Sequence, residues 1–307
     1  MKKKTLFKGL NLAVCAVAMI LALSLTSAMA AGPGTVTMTV TAVAKHDATV
    51  PPIKKDDVQL YLNKERTQIA DWKPGEKLFL AVLIDDSLDS SVASQWGDLK
   101  AFLTSQPAST YISVSYARNG EAMVAQDFTN DHELAAKALR IPLGGGGAFS
   151  SPYLALLDLM KRLPAGERRS ILLFSSGIDY LRGNFPTSPD LTSAIERAQK
   201  QNINVWSIYS PDAGHRARGF FLTSQAQSNL SQLSDETGAE SYYLGAGTPV
   251  TFRPYFDEIS AHLSNQYLLS FKGSGGKKGR FERIRVTTEL QNVEFLTPSN
   301  VFVPASE

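Results

Sequence analysis

An acidic, hydroxyl-rich segment follows directly on an apolar stretch in the chain. Residues 78–84 read LFLAVLI, and residues 85–91 read DDSLDSS. Carboxylate and hydroxyl oxygens are the ligands that hard cations such as Mg²⁺ and Ca²⁺ take in proteins. The same side chains also serve as helix N-caps, where they accept hydrogen bonds from free backbone N–H groups. The segment therefore indicates either a cation site or a polar helix cap.

Two further apolar segments end in polar residues. RSILLFSS (169–176) ends in paired serines, and INVWSIYS (203–210) is followed shortly by Asp212. A run of four glycines (144–147) precedes Ser150 in the same way. In an open α/β sheet, ligands bind where the carboxyl ends of the strands meet. We therefore expect these oxygen donors to converge at one edge of a sheet.

The elements that must position them have α/β character. From residue 76 to residue 264, continuous apolar runs alternate with segments of helical periodicity, which is typical of strands buried on both faces of a parallel sheet. A hairpin is predicted at Asn119-Gly120, where a second strand returns. Helix starts are predicted at Ser151-Pro152 and Ser188-Pro189, with a hydroxyl cap and a proline in the first turn. The predicted fold class is a doubly wound, mostly parallel α/β sheet.

The segments on either side of this α/β region, from residue 31 and from residue 265 onward, have β character. Residues 35–50 alternate threonine with apolar side chains, and the C-terminal part reads as three β-segments, QYLLSFKG, RFERIRVTTEL and VEFLTPSNVFV. The predicted domains are an N-terminal β-extension (31–75), an α/β domain (76–264) and a C-terminal β-segment (265–307). We expect the first and the last of these to pack together as one small sheet, which forms a β-subdomain beside the α/β domain.

The first thirty residues are typical of a secretory signal peptide. Four lysines precede an apolar core of about 15 residues, and Ala28-Met29-Ala30 is a cleavage signal of the small-x-small type. We expect cleavage after Ala30 and a secreted or periplasmic protein with no membrane span, while retention as an anchor is the alternative. Because bilayer-spanning helices need about 20 apolar residues, the short core favours cleavage.

Removing this leader changes the charge of the chain. The full sequence has 31 basic and 29 acidic residues and a net charge of +2, and the leader holds four of the lysines. The remaining 27 basic and 29 acidic residues give a net charge near −2, which gives no support for nucleic-acid binding. The only cysteine, Cys15, lies in the leader, so the mature chain forms no disulfide.

The order of these motifs resembles the von Willebrand factor type A domain. It is most similar to the secreted VWFA-related proteins of the Acidobacteria type, over most of the mature chain. The segments that carry the resemblance are VLIDDSLDSS, GGGGAFSSPYLALLDLM, RRSILLFSSGIDY, NVWSIYSPDAGH, DETGAESYY and SNQYLLSF. The resemblance implies a Rossmann-like sheet and a metal-ion-dependent adhesion site, whose pattern is Asp-x-Ser-x-Ser, a Thr on a second loop and an Asp on a third.

The residues of this chain match that pattern in part. Asp85 and Ser87 match it directly, and Asp89 stands where a serine is expected. The threonine position falls on Ser150, or on Ser151, and keeps a hydroxyl. The last aspartate falls on Ser176, which lacks the carboxylate, although Asp179 is close enough in sequence to act through water. The implied metal ligands are Asp85, Ser87, Asp89, Ser150 and Ser176, and the implied cation is Mg²⁺ or Ca²⁺.

The resemblance implies a non-enzymatic binding or adhesion module. It would recognise a protein partner through a degenerate adhesion site, and an acidic residue of that partner would complete the metal shell. A structural or scaffold protein with a vestigial site is the second interpretation. A serine hydrolase that uses Ser176, His215 and Asp85 is the third, and it has weak support because FSSGID lacks the leading glycine of a nucleophile elbow.

Overall fold

The structure is a computed structural model. It describes residues 34–45, 49–145, 150–166, 168–182, 188–214, 219–243 and 250–305. The leader (1–30), His215 and the last two glycines of the Gly-rich loop lie outside these residues. Within the described ranges, no helix has both the length and the apolar character needed to cross a bilayer.

Strands and helices alternate in the middle of the chain, and strands alone occupy its two ends. The strands are β1 (Thr35–Ala44), β2 (Val58–Leu62), β3 (Glu65–Thr67), β4 (Ile69–Pro74), β5 (Leu78–Asp85), β6 (Thr110–Arg118), β7 (Glu121–Thr129), β8 (Arg168–Ser175), β9 (Ile203–Tyr209), β10 (Ser241–Tyr242), β11 (Gln266–Lys272), β12 (Arg280–Thr288), β13 (Val293–Leu296) and β14 (Asn300–Val303). The helices are α1 (Trp96–Thr104), α2 (His132–Lys137), α3 (Pro152–Met160), α4 (Pro189–Gln201), α5 (Phe220–Glu236) and α6 (Arg253–Ser264).

A six-stranded sheet forms the centre of the fold. Its strand order is β10-β9-β8-β5-β6-β7, and every pair is parallel except the β6–β7 hairpin. All eight residues of β5 are buried, because α1, α2 and α6 cover one face of the sheet and α3, α4 and α5 cover the other. The predicted fold class, a doubly wound and mostly parallel α/β sheet, is confirmed.

The carboxyl end of β5 is a topological switch point. From β5 the chain continues to β6 on one side and later returns to β8 on the other side. At such a point the connecting helices lie on opposite faces and leave a crevice between their loops. The acidic segment that follows β5 therefore occupies the place where open α/β sheets bind ligands.

The strands from the two ends of the chain pair with one another. β1 lies between β11 and β13, and these three strands form a four-stranded sheet with β4. A second sheet has the order β14-β12-β2-β3 and shares an apolar core with the first. The sequence suggested one small sheet here. Two sheets form because each alternating strand has one apolar face, and each sheet buries the apolar face of the other.

Candidate functional site

Asp85 is the buried centre of the site. It is the last residue of β5 and is 1% exposed. Its Oδ1 accepts hydrogen bonds from the Ser87 backbone N–H at 3.0 Å and from the Ser87 hydroxyl at 2.7 Å. Its Oδ2 accepts a hydrogen bond from the Ser175 hydroxyl at 2.8 Å, because β8 is the parallel neighbour of β5 and ends at the same level.

Burial makes the ionised form of Asp85 costly. Burial raises the pKa of this carboxyl above its ordinary value, and the nearby charge of Asp212 raises it further. The hydrogen bonds from Ser87 and Ser175 act in the opposite direction without cancelling the effect of burial. The site therefore holds more negative charge than its own donors balance, and a proton or a cation would relieve it.

This balance predicts a pH dependence of stability. A carboxyl whose pKa is higher in the folded state binds its proton more tightly there, so its contribution favours folding at low pH and is lost as the pH rises through the folded-state pKa. In chelator-treated protein, above the ordinary aspartate pKa of about 4, the free energy of unfolding of the Asp85→Asn variant should therefore improve relative to the wild type as the pH rises. Urea denaturation at a series of pH values measures this difference, and parallel curves for the two proteins would contradict it.

Asp86 holds the loop that borders the site. Both of its carboxylate oxygens accept hydrogen bonds from the Arg140 guanidinium, at 2.7 and 2.9 Å, and Oδ1 also accepts one from the Leu143 N–H at 3.1 Å. The Arg140 guanidinium stacks on the Tyr116 ring, 3.7 Å from its centroid. Asp86 therefore has a positioning role, and its charge is matched by Arg140.

Asp89 acts as a helix cap. Its Oδ1 accepts a hydrogen bond from the Ser91 N–H at 2.9 Å and so begins a 3₁₀ turn over Ser90–Gln95. One interpretation of the sequence makes Asp85 the helix cap and leaves Asp89 in solvent. The structure assigns that contact to Asp89, while Asp85 turns into the buried site.

The loop after β9 is joined to the loop after β5, which brings Asp212 to the site. Leu88 and Asp212 form an isolated antiparallel bridge, the Ala213 N–H donates to the Ser87 carbonyl at 3.0 Å, and the Asp89 N–H donates to the Pro211 carbonyl at 3.0 Å. Asp212 is 1% exposed. Asp212 was not among the predicted ligands, although its position three residues after an apolar strand was the available signal.

Ser87 and Ser150 border the same cavity. The cavity has a volume of about 140 Å³ and is lined by Asp86, Ser87, Ala117, Arg118, Asn119, Leu143, Gly144, Gly145 and Ser150. The neighbouring hydroxyl, on Ser151, accepts a hydrogen bond from the Leu154 N–H at 3.3 Å and caps α3. Of the two serines that fit the threonine position, Ser150 is therefore the one placed at the cavity.

Ser176 lies beside the site but does not contact Asp85 in the way Ser175 does. Its hydroxyl oxygen accepts a long hydrogen bond, 3.4 Å, from the Ile178 N–H. Asp179, the residue expected to compensate for it, accepts hydrogen bonds from the Ser188 hydroxyl at 2.9 Å and from the Arg182 N–H at 3.2 Å. Asp179 therefore organises its own loop. The hydrolase arrangement needs His215, which lies outside the described residues.

Comparisons with known proteins find likeness only at the level of structure. No protein-family model and no curated protein matches the chain. A von Willebrand factor type A structure from Catenulispora acidiphila is 11% identical, with a TM-score of 0.44 over 89% of this chain and 73% of that chain. The conserved hypothetical protein BatB from Bacteroides thetaiotaomicron is 11% identical, with a TM-score of 0.44 over 62% of this chain and 98% of that chain.

A third similar structure is the vWF domain of a type V pili tip protein from Porphyromonas gingivalis. It is 13% identical, with a TM-score of 0.41 over 61% of this chain and 94% of that chain. These identities and TM-scores are too low to carry an assignment of family or function. The description of the fold rests on the sheet topology, and that of the site rests on its contacts.

Proposed function

We propose that this protein is a secreted or periplasmic, non-enzymatic binding module that recognises a protein partner through a divalent cation, Mg²⁺ or Ca²⁺, at the carboxyl edge of its sheet. The observation that carries the proposal is the cavity lined by Ser87 and Ser150, where the Ser87 hydroxyl is also hydrogen-bonded to the buried Asp85 carboxylate. The site is a degenerate form of the metal-ion-dependent adhesion site that the sequence resembles.

The donors fit a hard cation. The Ser87 hydroxyl donates its proton to Asp85, and a hydroxyl oxygen that donates keeps two lone pairs with which it can bind a cation. The negative charge of the buried Asp85 carboxylate, which the nearby charge of Asp212 makes more costly, is what a cation would balance. We propose Ser87 and Ser150 as the residues that would hold the cation directly. Asp85, Asp212 and Ser176 would support them, and Asp89 would contribute only through water, since its Oδ1 caps the 3₁₀ turn.

The surroundings of the site suit a protein partner. Large apolar side chains are exposed on the loops and helix starts that leave the carboxyl edge of the sheet: Ile141, Leu143, Leu181, Phe220 and Phe221. Phe220 and Phe221 are 86% and 73% exposed at the start of α5. Exposed apolar groups around a polar centre are typical of protein-interaction surfaces. An acidic side chain from the partner would complete the cation shell.

A scaffold with a vestigial site is the second candidate, and a specific observation favours it. Asp85 accepts three hydrogen bonds from Ser87 and Ser175, and Asp89 caps the 3₁₀ turn. On this interpretation the site serves only to order the loops after β5 and β8. The two candidates differ in whether a divalent cation stabilises the fold.

Thermal unfolding with and without cations separates the two candidates. With Mg²⁺, Mn²⁺ or Ca²⁺ at about a hundred times its Kd, a cation that binds only the folded state adds about 2.7 kcal/mol. This corresponds to a rise in Tm of about 5–10 °C for a chain of this size. We expect the rise in the wild type and its loss in the Ser87→Ala and Asp85→Asn variants.

The matched control is Ser90→Ala, an exposed serine three residues along the same segment. It should keep the full cation response. A wild type whose Tm is the same in EDTA and in each cation would favour the scaffold candidate. A response that survives in Ser87→Ala would place the cation elsewhere in the molecule.

A further inference from the structure

A second cluster of candidate metal ligands lies at the outer edge of the central sheet. Glu240 directly precedes β10, while Glu258 and His262 stand one turn apart on α6. One ligand atom from each residue lies within 4.8 Å of the other two. Among the described ranges, this is the group of three His, Cys, Asp or Glu residues found close enough together to hold one metal ion. Strands β8 and β9 separate it from β5, the strand that ends in Asp85.

His262 is fixed in place by its neighbours. It is 5% exposed and stacks on the Trp206 ring, with the two ring centroids 5.4 Å apart. Its Nδ1 lies 3.6 Å from Oε2 of Glu240 and 3.4 Å from the Tyr242 hydroxyl. Burial lowers the pKa of His262, although the charge of Glu240 partly opposes this. A neutral imidazole is the form that binds metal ions.

The two carboxylates of the cluster, Glu240 and Glu258, stand close to each other. Burial raises the pKa of the Glu258 carboxyl, and the charge of Glu240 together with the hydrogen bond between the two groups raises it further. Two carboxylates in contact cannot both remain ionised unless a positive charge offsets them. A proton shared between them offers one solution, and a divalent cation offers the other.

Two buried polar groups beside the cluster lack hydrogen-bond partners within the described ranges, and the first belongs to Trp206, on which His262 stacks. This side chain is 0% exposed, yet its indole N–H has no acceptor among the described residues. The hydroxyl of Tyr255, whose ring lies 5.3 Å from that of Tyr242, is also buried and without a partner there. A buried donor without an acceptor costs about 1–3 kcal/mol. Tyr255 packs on Tyr242, whose hydroxyl lies 3.4 Å from Nδ1 of His262, so both groups belong to side chains that surround the cluster.

We propose that Glu240, Glu258 and His262 form a binding site for a first-row divalent transition-metal cation, foremost Zn²⁺. Bonds of about 2.0–2.1 Å to a tetrahedral zinc put its ligands about 3.3 Å apart, close to the 3.6 Å between Glu240 and His262. An imidazole in the set favours Zn²⁺ over Mg²⁺ or Ca²⁺, which prefer oxygen alone. The metal would join edge strand β10 to helix α6, and water would occupy the remaining position.

Cobalt titration of the full mature chain tests the proposal, because Co²⁺ occupies zinc sites and absorbs visible light. We expect one equivalent of Co²⁺ to produce visible absorption bands and Zn²⁺ to displace it. Glu258→Gln should abolish the bands. Asp257→Asn, which alters the adjacent exposed carboxylate on the same helix, should keep them, and so should Asp85→Asn at the other site.

Thermal unfolding of the same variants shows whether misfolding, rather than loss of a ligand, explains a loss of the Co²⁺ bands. Without metal, Glu258→Gln should melt at or above the wild-type temperature, because the repulsion with Glu240 is removed. With Zn²⁺ it should lose the rise in Tm that the wild type shows. Absence of Co²⁺ bands in the wild type, or their survival in Glu258→Gln, would overturn the proposal, and neither result would bear on the site at Asp85.

Discussion

The Gly177→Ala variant is expected to lose about 2–5 kcal/mol of unfolding free energy, which is among the largest effects that one added methyl group can have in this chain. Gly177 has a φ of +72°, a conformation that costs other residues about 1–2 kcal/mol. A Cβ there would stand 2.5 Å from the Ala226 carbonyl oxygen and 2.9 Å from Cγ of Leu230. Both atoms belong to α5. Because displacing a helix is costly, overpacking here adds about 1–3 kcal/mol to the loss.

Gly145→Ala is the matched control. Gly145 also has a φ of +72°, but a Cβ there would meet nothing within 4 Å. Urea denaturation should therefore show only the conformational cost, about 1–2 kcal/mol, for Gly145→Ala. Equal losses for the two variants would mean that the contact between α5 and the loop after β8 does not resist displacement. The same displacement would move Ser175 away from Asp85, so Gly177→Ala should also weaken the cation response.

The Arg140→Met variant is expected to lose about 1–3 kcal/mol. Removing one partner of a fully buried ion pair costs about 3–5 kcal/mol, but Arg140 is 41% exposed, so water screens part of its charge. The Asp86 carboxylate, 4% exposed, would keep the Leu143 N–H and lose both hydrogen bonds from the guanidinium. Loss of the stacking on Tyr116 adds to the effect.

Arg162→Met provides the comparison. Arg162 pairs with Asp158 on α3 at 2.8 Å, but it is 51% exposed, and such surface pairs contribute about 0–1 kcal/mol. The double variant Asp86→Asn/Arg140→Met should recover part of the loss, because no unpaired charge remains buried. Equal unfolding free energies for Arg140→Met and Arg162→Met would show that the Asp86 contact is weak.

Local signals in the sequence predicted much of the fold. The alternation at Val58–Leu62 matches β2, and the caps at Ser151 and Ser188 begin α3 and α4. The hairpin at Asn119-Gly120 forms with φ angles of 51° and 77°, which these two residue types tolerate. Each of these features depends on a few adjacent residues, so the sequence pattern contains the physical cause.

Features set by distant residues were harder to predict. The segment 130–141 reads as one helix, but α2 ends at Lys137, because Arg140 turns to reach Asp86 and the Trp96 indole and Tyr116 hydroxyl donate to the Arg140 carbonyl. Alternation in a strand shows that one face is buried but does not name the partner strand. One sheet was therefore suggested where two form.

The site shows the same division. The Asp85-x-Ser87 pair could be predicted from the sequence because both residues lie at the end of one strand. The choice of Ser175 over Ser176 as the partner of Asp85 depends on where β8 ends, and the approach of Asp212 depends on a bridge between two loops. Glu258 and His262 share a helical face by spacing alone, but Glu240 joins them only through the tertiary fold.

The pairing of β1 has a consequence for how the chain acquires its structure. β1 is apolar on one face and is made early, yet both of its sheet neighbours, β11 and β13, lie beyond residue 265. At a synthesis rate of about 5–20 residues per second, β1 waits roughly 10–45 seconds for its first neighbour. The central sheet can form in that interval, since its strands are consecutive. We therefore expect the β-subdomain to fold last and β1 to be the segment most exposed to aggregation and to chaperones until then.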